Sequence, residues 1–295
     1  MKRVAIIGLG LMGGSLGLAL KAHGFHGRIA GFARRKEIRD LALRLKAADE
    51  VFERPEEAVR DADLTVFCVP ILSTPELVKA CRNAFAKRCL VTDVGSTKAE
   101  LTREIEAALK DSDAVYVGSH PIAGSEQQGL DAARADLYER AVVVVTPGAR
   151  ETEWAKAQLT AFWESVGSVV QVMTPEEHDR VMARTSHLPH LIACLLAGTV
   201  GRGGDAGVIG RYCGPGFRDA TRIADGSPEI WHDIIHSNRQ SMAGELEVFK
   251  RELESLLRII QDGDSSRLRV FLDEGRSRRR ALLQGRLAFD QRGEQ

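Results

Sequence analysis

The first residues of the chain place a glycine-rich turn between a short apolar segment and a helix-forming segment. Val4 to Ile7 are all apolar, and Gly8, Gly10 and Gly13 follow in the spacing Gly-x-Gly-x-x-Gly. In a strand-turn-helix unit the first glycine permits the tight turn, the second lets the backbone approach a pyrophosphate, and the third allows close helix packing. The free N–H groups at the start of the helix then face the phosphates.

This turn predicts a dinucleotide-binding loop, because its place after a strand and before a helix is the context that the fingerprint requires. The three glycines alone are weak evidence, since the 295 residues include 28 glycines, and a structural glycine-rich turn is the alternative. We expect the cofactor to contact the loop residues Gly8, Gly10, Leu11, Met12 and Gly13.

The end of the second predicted strand, Arg28 to Phe32, indicates which cofactor binds. A carboxylate about 20 residues past the glycines holds the ribose hydroxyls in NAD sites. Here the chain has Ala33-Arg34-Arg35 instead. Guanidinium groups match the charge and geometry of a 2′-phosphate, so we expect NADP to be preferred, with NAD still possible. The alternative is that Arg34 and Arg35 only form the exposed start of a helix. Val69 and Pro70, after the next apolar strand, complete the predicted cofactor contacts.

Apolar strands alternate with helices through the first 172 residues. Near-continuous apolar strands separated by helices indicate a parallel sheet buried on both faces. From Thr174 onwards only helical patterns follow, and Thr174, Pro175 and Glu177 predict a capped helix start. The sequence therefore predicts an α/β chain, with a Rossmann-type dinucleotide-binding domain at 1–172 and an all-α dimerisation domain at 173–295. The predicted strands are 4–7, 28–32, 64–69, 90–93, 114–118, 142–146 and 168–172, and the predicted helices between them are 36–46, 74–85, 98–109 and 151–166.

An apolar stripe in the last third of the chain predicts a helix–helix interface. Leu246, Phe249, Leu253, Leu256 and Ile260 recur at a spacing of three to four residues between charged residues. Such a narrow stripe packs on another helix, in its own domain or in a second subunit. We expect a homodimer.

Charge and cysteine content exclude several classes of protein. The 41 basic and 41 acidic side chains leave no net charge, so no general attraction to nucleic acid or to an anionic membrane is expected. The five cysteines are odd in number and form no Cys-x-x-Cys pair, which argues against a disulfide framework and a metal site. The first strand leaves no room for a signal peptide, and no uncharged apolar stretch reaches the roughly 20 residues of a membrane span. We expect a cytoplasmic protein.

Four polar clusters fall where strands end or helices begin, which is where open α/β sheets place their sites. His120 follows a predicted strand and precedes a turn rich in proline and glycine, in a domain expected to bind a hydride carrier. That combination favours a general base, although a single histidine is more often structural. The clusters are 93–98, 118–126, 186–190 and 216–222, with Trp231 nine residues after the last.

With these clusters the chain resembles the prephenate dehydrogenases, a family that includes arogenate and cyclohexadienyl dehydrogenases of tyrosine biosynthesis. The resemblance runs from the glycine loop to the segment Gly216–Trp231. It implies a Rossmann domain followed by a helical domain that dimerises, and an oxidative decarboxylation of prephenate or arogenate in which a hydride passes from C4 of the ring to NAD(P)+. Ala33 departs from the acid of the NAD-using members. We expect neither a chorismate mutase segment nor a regulatory ACT domain.

The resemblance also implies roles for particular residues. His120 would take the proton of the C4 hydroxyl, Ser96 would orient it, and Arg222 would hold the ring carboxylate. Ser186 and His190 match polar substrate contacts. An ionic and aromatic lid, contributed in part by the other subunit of a dimer whose active site lies near the interface, would consist of Glu126, Asp219 and Trp231. Alternatives remain: Arg218 could replace Arg222, and His187 or His190 could be structural.

Two other functions compete with this one. The β-hydroxyacid dehydrogenases share Gly-Leu-Gly-x-Met-Gly but use a lysine near an asparagine, and here only Lys250 and Asn238 are available in the helical region. An NADP-binding redox regulator would need the fold without a catalytic cluster. Between the two substrates, a cationic His190 would favour the keto acid prephenate over arogenate.

Overall fold

The computed structural model describes residues 1–123, 127–149, 152–202 and 204–292. By its internal contacts the chain divides into two compact units, Met1–Arg239 and Gln240–Gln295. In the described part of the chain the last strand ends at Val172, so the predicted change from mixed to helical structure is confirmed. The domain boundary at that point stays a prediction, because the first unit continues through it to Arg239.

Six parallel strands form the main sheet. They are β1 (Arg3–Ile7), β2 (Arg28–Phe32), β3 (Glu50–Phe52), β4 (Leu64–Phe67), β5 (Leu90–Asp93) and β6 (Val115–Tyr116). Their order is β3-β2-β1-β4-β5-β6, the arrangement of a dinucleotide-binding Rossmann sheet. The order reverses between β1 and β4, and ligands bind in the crevice at such a switch point. The helices between these strands are α1 (Leu11–Ala22), α2 (Lys36–Arg44), α3 (Pro55–Ala58), α4 (Thr74–Cys81) and α5 (Ala99–Ala108).

Both faces of this sheet are buried, as the apolar strands predicted. Alternate residues of a strand point to opposite faces, and the residues of β1 alternate between two separate apolar clusters. Val4 and Ile6 pack in one cluster, while Ala5 and Ile7 pack in the other. A parallel sheet is stable only when helices cover both of its faces, and this alternation explains why β1 is apolar throughout.

A second sheet of three strands follows, and here the sequence prediction needs correction. The strands are β7 (Gly118–Ile122), β8 (Val142–Thr146) and β9 (Val169–Val172), with α6 (Glu153–Glu164) between the last two. β7 pairs antiparallel with β8, so the strands do not all belong to one parallel sheet. The predicted strand 114–118 is in fact divided between β6 and β7. The backbone passes from the first sheet to the second at Gly118. A side chain does not fit there, because a β-carbon would lie 2.4 Å from Thr146 Oγ1.

Helices make up the rest of the first unit. A capping box begins α7 (Pro175–Met182) as predicted, with the Thr174 hydroxyl accepting from the Glu177 N–H and the Glu177 carboxylate accepting from the Thr174 N–H. A π-helical segment, Ala183–His187, then leads into α8 (Leu188–Gly201). Pro189 cannot donate to a helical carbonyl, which agrees with this irregular turn just before it. The remaining elements are α9 (Ala206–Gly210), α10 (Pro215–Thr221), a 3₁₀ turn (Arg222–Asp225) and α11 (Pro228–Ser237).

The second unit contains two long helices, α12 (Arg239–Gln261) and α13 (Ser265–Arg292). Only the first residue of α12 still belongs to the first unit. Many of their apolar side chains are exposed, Leu253, Leu257 and Ile260 among them, each more than half exposed. Among the residues that the structure describes, no helix combines the length and the apolar character that a membrane span requires.

Candidate active site

The glycine loop lies at the carboxyl end of β1, next to the end of β4. Gly8 has a φ of +106°, and a β-carbon there would meet Cys68 O at 2.5 Å and Val69 Cγ1 at 2.7 Å. A β-carbon at Gly13 would lie 2.0 Å from Gly8 O, so α1 packs against the loop itself. At Gly10, by contrast, an added β-carbon meets nothing within 4 Å. The loop is therefore packed on its inner side and open at the start of α1, as a pyrophosphate-binding turn must be.

The end of β2 also agrees with a nucleotide site. Ala33 is buried, whereas Arg34 and Arg35 are exposed, and Arg35 is the N-cap of α2. The Arg39 guanidinium donates to Ala33 O at 3.1 Å and to Arg34 O at 2.8 Å. Arg39 was not among the predicted residues. Its two hydrogen bonds hold the backbone of this turn, and the side chain of Arg34 is exposed.

His120 lies within β7, opposite Val144, and not after a strand as the sequence predicted. The residue before it, Ser119, binds this strand to the end of β5. The Ser119 hydroxyl donates to Asp93 O at 2.6 Å and lies 2.9 Å from Thr92 Oγ1. Phe67 of β4 pairs with Asp93 of β5. His120 thus stands on a strand fixed to the same edge of the main sheet as the glycine loop.

The His120 imidazole is half-buried and contacts a second histidine. Its Nδ1 lies 2.8 Å from Nε2 of His178, whose own Nδ1 lies 2.8 Å from Asp179 Oδ1. Burial first, and then the neighbouring His178, Lys98 and His187, hold the pKa of His120 well below its usual 6.5. The pKa of His178 is also lowered, by burial above all. Both rings are therefore neutral at neutral pH.

A buried ion pair lies next to the strand that carries His120. Lys98 Nζ bonds to the Asp93 carboxylate and donates to Ser119 O at 3.0 Å, and both charged side chains are essentially inaccessible. Tyr116 donates its hydroxyl proton to the other Asp93 oxygen at 2.7 Å. Burial lowers the pKa of Lys98, whereas the adjacent Asp93 raises it. Removing one partner of such a pair leaves an uncompensated buried charge. Because Lys98 also donates to Ser119 O, the pair fixes the backbone next to His120.

The helical part of the first unit joins the same network. Asn238 Nδ2 donates to Asp179 O at 2.8 Å and lies 3.3 Å from His187 Nδ1. His187 packs edge-on against Trp231, and the ring of His190 stacks on Trp231 with centroids 3.5 Å apart. A cavity of about 470 Å³ opens beside His190 and Trp231. The hydrogen bonds that start at His120 thus reach His187, which contacts Trp231 through its ring.

The other predicted residues are placed less centrally. Ser96 is half-buried in the loop before α5, while Ser186 and Asp219 are exposed, on the π-helical segment and on α10. Arg222 is also exposed and begins the 3₁₀ turn directly after α10, the helix that carries Arg218. Glu126, which the sequence predicted as part of a lid, lies outside the described residues. Pro70 lines a second cavity, of about 490 Å³, together with residues of α11.

The sequence prediction missed His178, Asp179 and Lys98. The adjacent His-Asp pair in the first turns of a well-capped helix was a signal for the first two. Nothing in the chain order indicated that this helix would meet β7, because their contact joins residues 58 positions apart. Lys98 was part of a predicted cluster, but its burial depends on the packing of both sheets.

The lysine and the asparagine considered for the competing β-hydroxyacid chemistry have other contacts. Lys250 is exposed on α12, 3.8 Å from the Glu247 carboxylate. Asn238 is buried and engaged by Asp179 and His187.

A Rossmann sheet with an open glycine loop, joined to a buried histidine network, defines a dinucleotide-dependent oxidoreductase. Family models agree: residues 16–172 match the nucleotide-binding domain of prephenate dehydrogenase, and residues 174–274 match its dimerisation domain. The chain belongs to the prephenate dehydrogenase family.

Individual relatives cover nearly the whole chain. A cyclohexadienyl dehydrogenase of Zymomonas mobilis is 35% identical over 283 residues, which are 95% of this chain and 96% of the relative. A prephenate dehydrogenase of Bacillus subtilis is 31% identical over 90% of this chain and 72% of its own length. The structure of the Aquifex aeolicus prephenate dehydrogenase, in complex with hydroxyphenyl propionate and NAD+, superposes with a TM-score of 0.89 at 32% identity, covering 96% of this chain and 98% of that one.

Proposed function

We propose that this chain oxidises prephenate to 4-hydroxyphenylpyruvate, with loss of CO2 and hydride transfer to a nicotinamide dinucleotide, as a step of tyrosine biosynthesis. One observation carries the proposal. His120 is a half-buried, neutral imidazole on a strand that is bound to the nucleotide edge of the sheet. Arogenate, which has an amino group in place of the keto group, is the alternative substrate.

The proposed reaction needs a base at one oxygen atom. Prephenate carries a hydroxyl and a hydrogen on C4, and a carboxylate and a pyruvyl group on C1. When bound, the nicotinamide ring supplies the hydride acceptor. As the C4 hydrogen leaves with its electron pair, His120 takes the hydroxyl proton and C4 becomes a carbonyl carbon. The bond from C1 to the carboxylate then breaks, its electrons enter the ring, and the oxygen on C4 regains a proton as the ring becomes aromatic.

Arg222 is the proposed anchor of the ring carboxylate, because a guanidinium pairs with a carboxylate through two directed hydrogen bonds. Arg218 is the alternative. We assign Ser186 and His190 to polar contacts with the substrate and Ser96 to the orientation of His120. Asp219 and Trp231, with Glu126, are the proposed lid.

NADP is the proposed cofactor in preference to NAD. The support is local: Ala33 offers no carboxylate for the ribose, Arg34 is exposed beside it, and Arg39 fixes the turn that carries both. The Aquifex aeolicus enzyme was crystallised with NAD+, so both cofactors belong in the test.

Prephenate is the proposed substrate, but a cationic His190 is not a reason for this preference. Burial lowers the pKa of His190, so this ring is neutral at neutral pH and does not act as the cation that would reject arogenate. The preference rests on the family and on the prephenate dehydrogenase of Bacillus subtilis at 31% identity.

We also propose a homodimer formed through the helical domain at 173–295. Residues 174–274 match a dimerisation domain, and the apolar stripe on α12 supports the same surface.

The test is steady-state turnover of prephenate and of arogenate, each with NADP+ and with NAD+. We expect kcat/KM to be highest for prephenate with NADP+, with one CO2 and one 4-hydroxyphenylpyruvate formed per NADPH. If the protein binds NADPH but turns over neither substrate with either cofactor, it is a nucleotide-binding regulator instead.

A further inference from the structure

His120, His178 and Asp179 form a hydrogen-bonded chain of three side chains that ends in a carboxylate. His120 Nδ1 faces His178 Nε2 at 2.8 Å, and His178 Nδ1 faces Asp179 Oδ1 at 2.8 Å. His178 is completely buried, and its two ring nitrogens are both used in this chain. From these contacts we infer that His178 and Asp179 are positioning residues, which fix the proton of His120 on Nδ1 and leave Nε2 as the proton-accepting atom.

The Asp179 carboxylate determines the direction of the chain. Its Oδ1 also accepts from the N–H of Lys98 at 2.8 Å, and its Oδ2 accepts from the N–H of Ala99 at 2.9 Å. An ionised carboxylate only accepts hydrogen bonds, so the His178 atom that faces it must be Nδ1–H. A neutral imidazole has one N–H, and therefore His178 Nε2 is an acceptor. His120 Nδ1 must then donate, and its lone pair lies on Nε2.

The opposite assignment fails at the carboxylate. If His178 donated from Nε2 to His120, its bare Nδ1 would face a carboxylate oxygen at 2.8 Å, with a lone pair on each atom. A doubly protonated His178 would donate to both neighbours, but burial lowers the pKa of His178 and opposes that form.

Charged and titratable groups face this chain from several elements, and they do not alter its direction. Lys98 and Asp93 form an ion pair with each other beside β7. His187, on the π-helical segment, is neutral because burial lowers its pKa to about 4. Asp179 itself is held at the first N–H groups of α5, where the helix dipole favours a negative charge.

The inference rests on the proposed function for its kinetic consequence, but not for its geometry. A base that keeps one tautomer presents a lone pair at Nε2 in every molecule. In the Ser-His-Asp template, loss of the carboxylate that fixes the tautomer lowers kcat by up to about 10⁴-fold. We expect a loss of at least about tenfold here.

The direct test is the tautomer of His120, read from two-bond ¹H–¹⁵N correlations of the histidine-labelled protein without substrate. The His120 signals are assigned with a His120→Asn variant. We expect the wild type to carry the proton on Nδ1. His178→Leu removes the acceptor and should release this preference and lower kcat with KM little changed. His178→Gln supplies a carbonyl oxygen in its place and should restore much of both.

Two further variants separate positioning from folding. Asp179→Asn can place an N–H against His178 and reverse the direction of these hydrogen bonds, so it should move the His120 proton to Nε2. If Asp179→Asn fails to fold, the two His178 variants decide. Thr174→Ala removes the capping box at the start of the same helix and should lower Tm without changing the tautomer or kcat.

A wild-type His120 protonated on Nε2 would overturn the inference, as would a His178→Leu variant with the same tautomer and turnover as the wild type. Failure of the proposed function gives a different result: no turnover of prephenate or arogenate, with the tautomer pattern intact.

Discussion

At the scale of single residues, Arg34 decides the proposed choice of cofactor. A charged hydrogen bond to the 2′-phosphate is worth about 1.5–3 kcal/mol, so Arg34→Ala should raise KM for NADP+ by roughly ten- to a hundredfold and leave KM for NAD+ nearly unchanged. Arg44→Ala, an exposed arginine in the last turn of α2, is the matched control and should affect neither. Equal effects of Arg34→Ala on both cofactors would mean that Arg34 is only part of an exposed helix start.

Arg222 should affect binding more than chemistry, because the ring carboxylate is charged from the ground state until it leaves. Arg222→Ala should therefore raise KM for prephenate by roughly tenfold or more, with a smaller effect on kcat. Arg218→Ala, on the preceding helix, is the comparison. A large KM effect in Arg218→Ala, with a normal Arg222→Ala, would transfer the anchor to Arg218.

Residue types and spacing predicted the close-packed glycines of the loop, because these obey local rules, whereas the role of His120 stays a prediction. Gly8 needs a positive φ and Gly13 a close approach, and each leaves a trace in the spacing of three glycines. The contact between His120 and the adjacent pair His178 and Asp179 leaves no such trace. It is formed where a strand of the second sheet meets a helix that begins more than fifty residues later, and only the packing brings their side chains together.

At the scale of elements, the π-helical segment Ala183–His187 predicts an acid-sensitive contact. Burial lowers the folded-state pKa of His187 to about 4, against its usual 6.5. Its contribution to stability is thus complete above pH 6.5. As the pH falls from 6.5 towards 4, the unfolded chain binds a proton that the folded chain does not, and stability is lost.

The expected loss due to His187 is about 3 kcal/mol over that range. Urea unfolding between pH 7 and pH 4 measures it, and His187→Gln should remove this part of the dependence. His26→Gln, at an exposed histidine, should leave the dependence as it is. An unchanged slope in His187→Gln would show that the titrating group lies elsewhere.

Elements with strong local signals were predicted with little error. The strands β1, β2, β5 and β8 and the capped start of α7 correspond to apolar runs and to a capping box. The errors have a common cause. β3 has three half-buried residues, too few for a periodic pattern, and the division of 114–118 between two sheets depends on the close contact of Gly118 with Thr146, which no local pattern encodes.

At the scale of the whole molecule, the exposed apolar side chains of α12 predict a homodimer. Light scattering at micromolar concentration should give twice the 32.3 kDa of the chain. Replacing Leu253 and Leu257 by Glu should favour the monomer, since both side chains are already exposed within one chain. Arg251→Glu, a charge change on the same helix, is the control. A wild type that scatters as a single chain would contradict the dimer.

The pH dependence of kcat in the wild type and in His120→Asn shows whether His120 is the base of the proposed prephenate oxidation. Imidazolium cannot take the hydroxyl proton, so wild-type kcat should rise with pH through one ionisation, and because burial lowers the pKa of His120, that rise should lie below pH 6.5. His120→Asn should lower kcat by about 10²–10⁴, leave KM for prephenate little changed and abolish the rise. If the rise persists in the variant, or if turnover stays near normal, the base lies elsewhere and His190 is the next candidate.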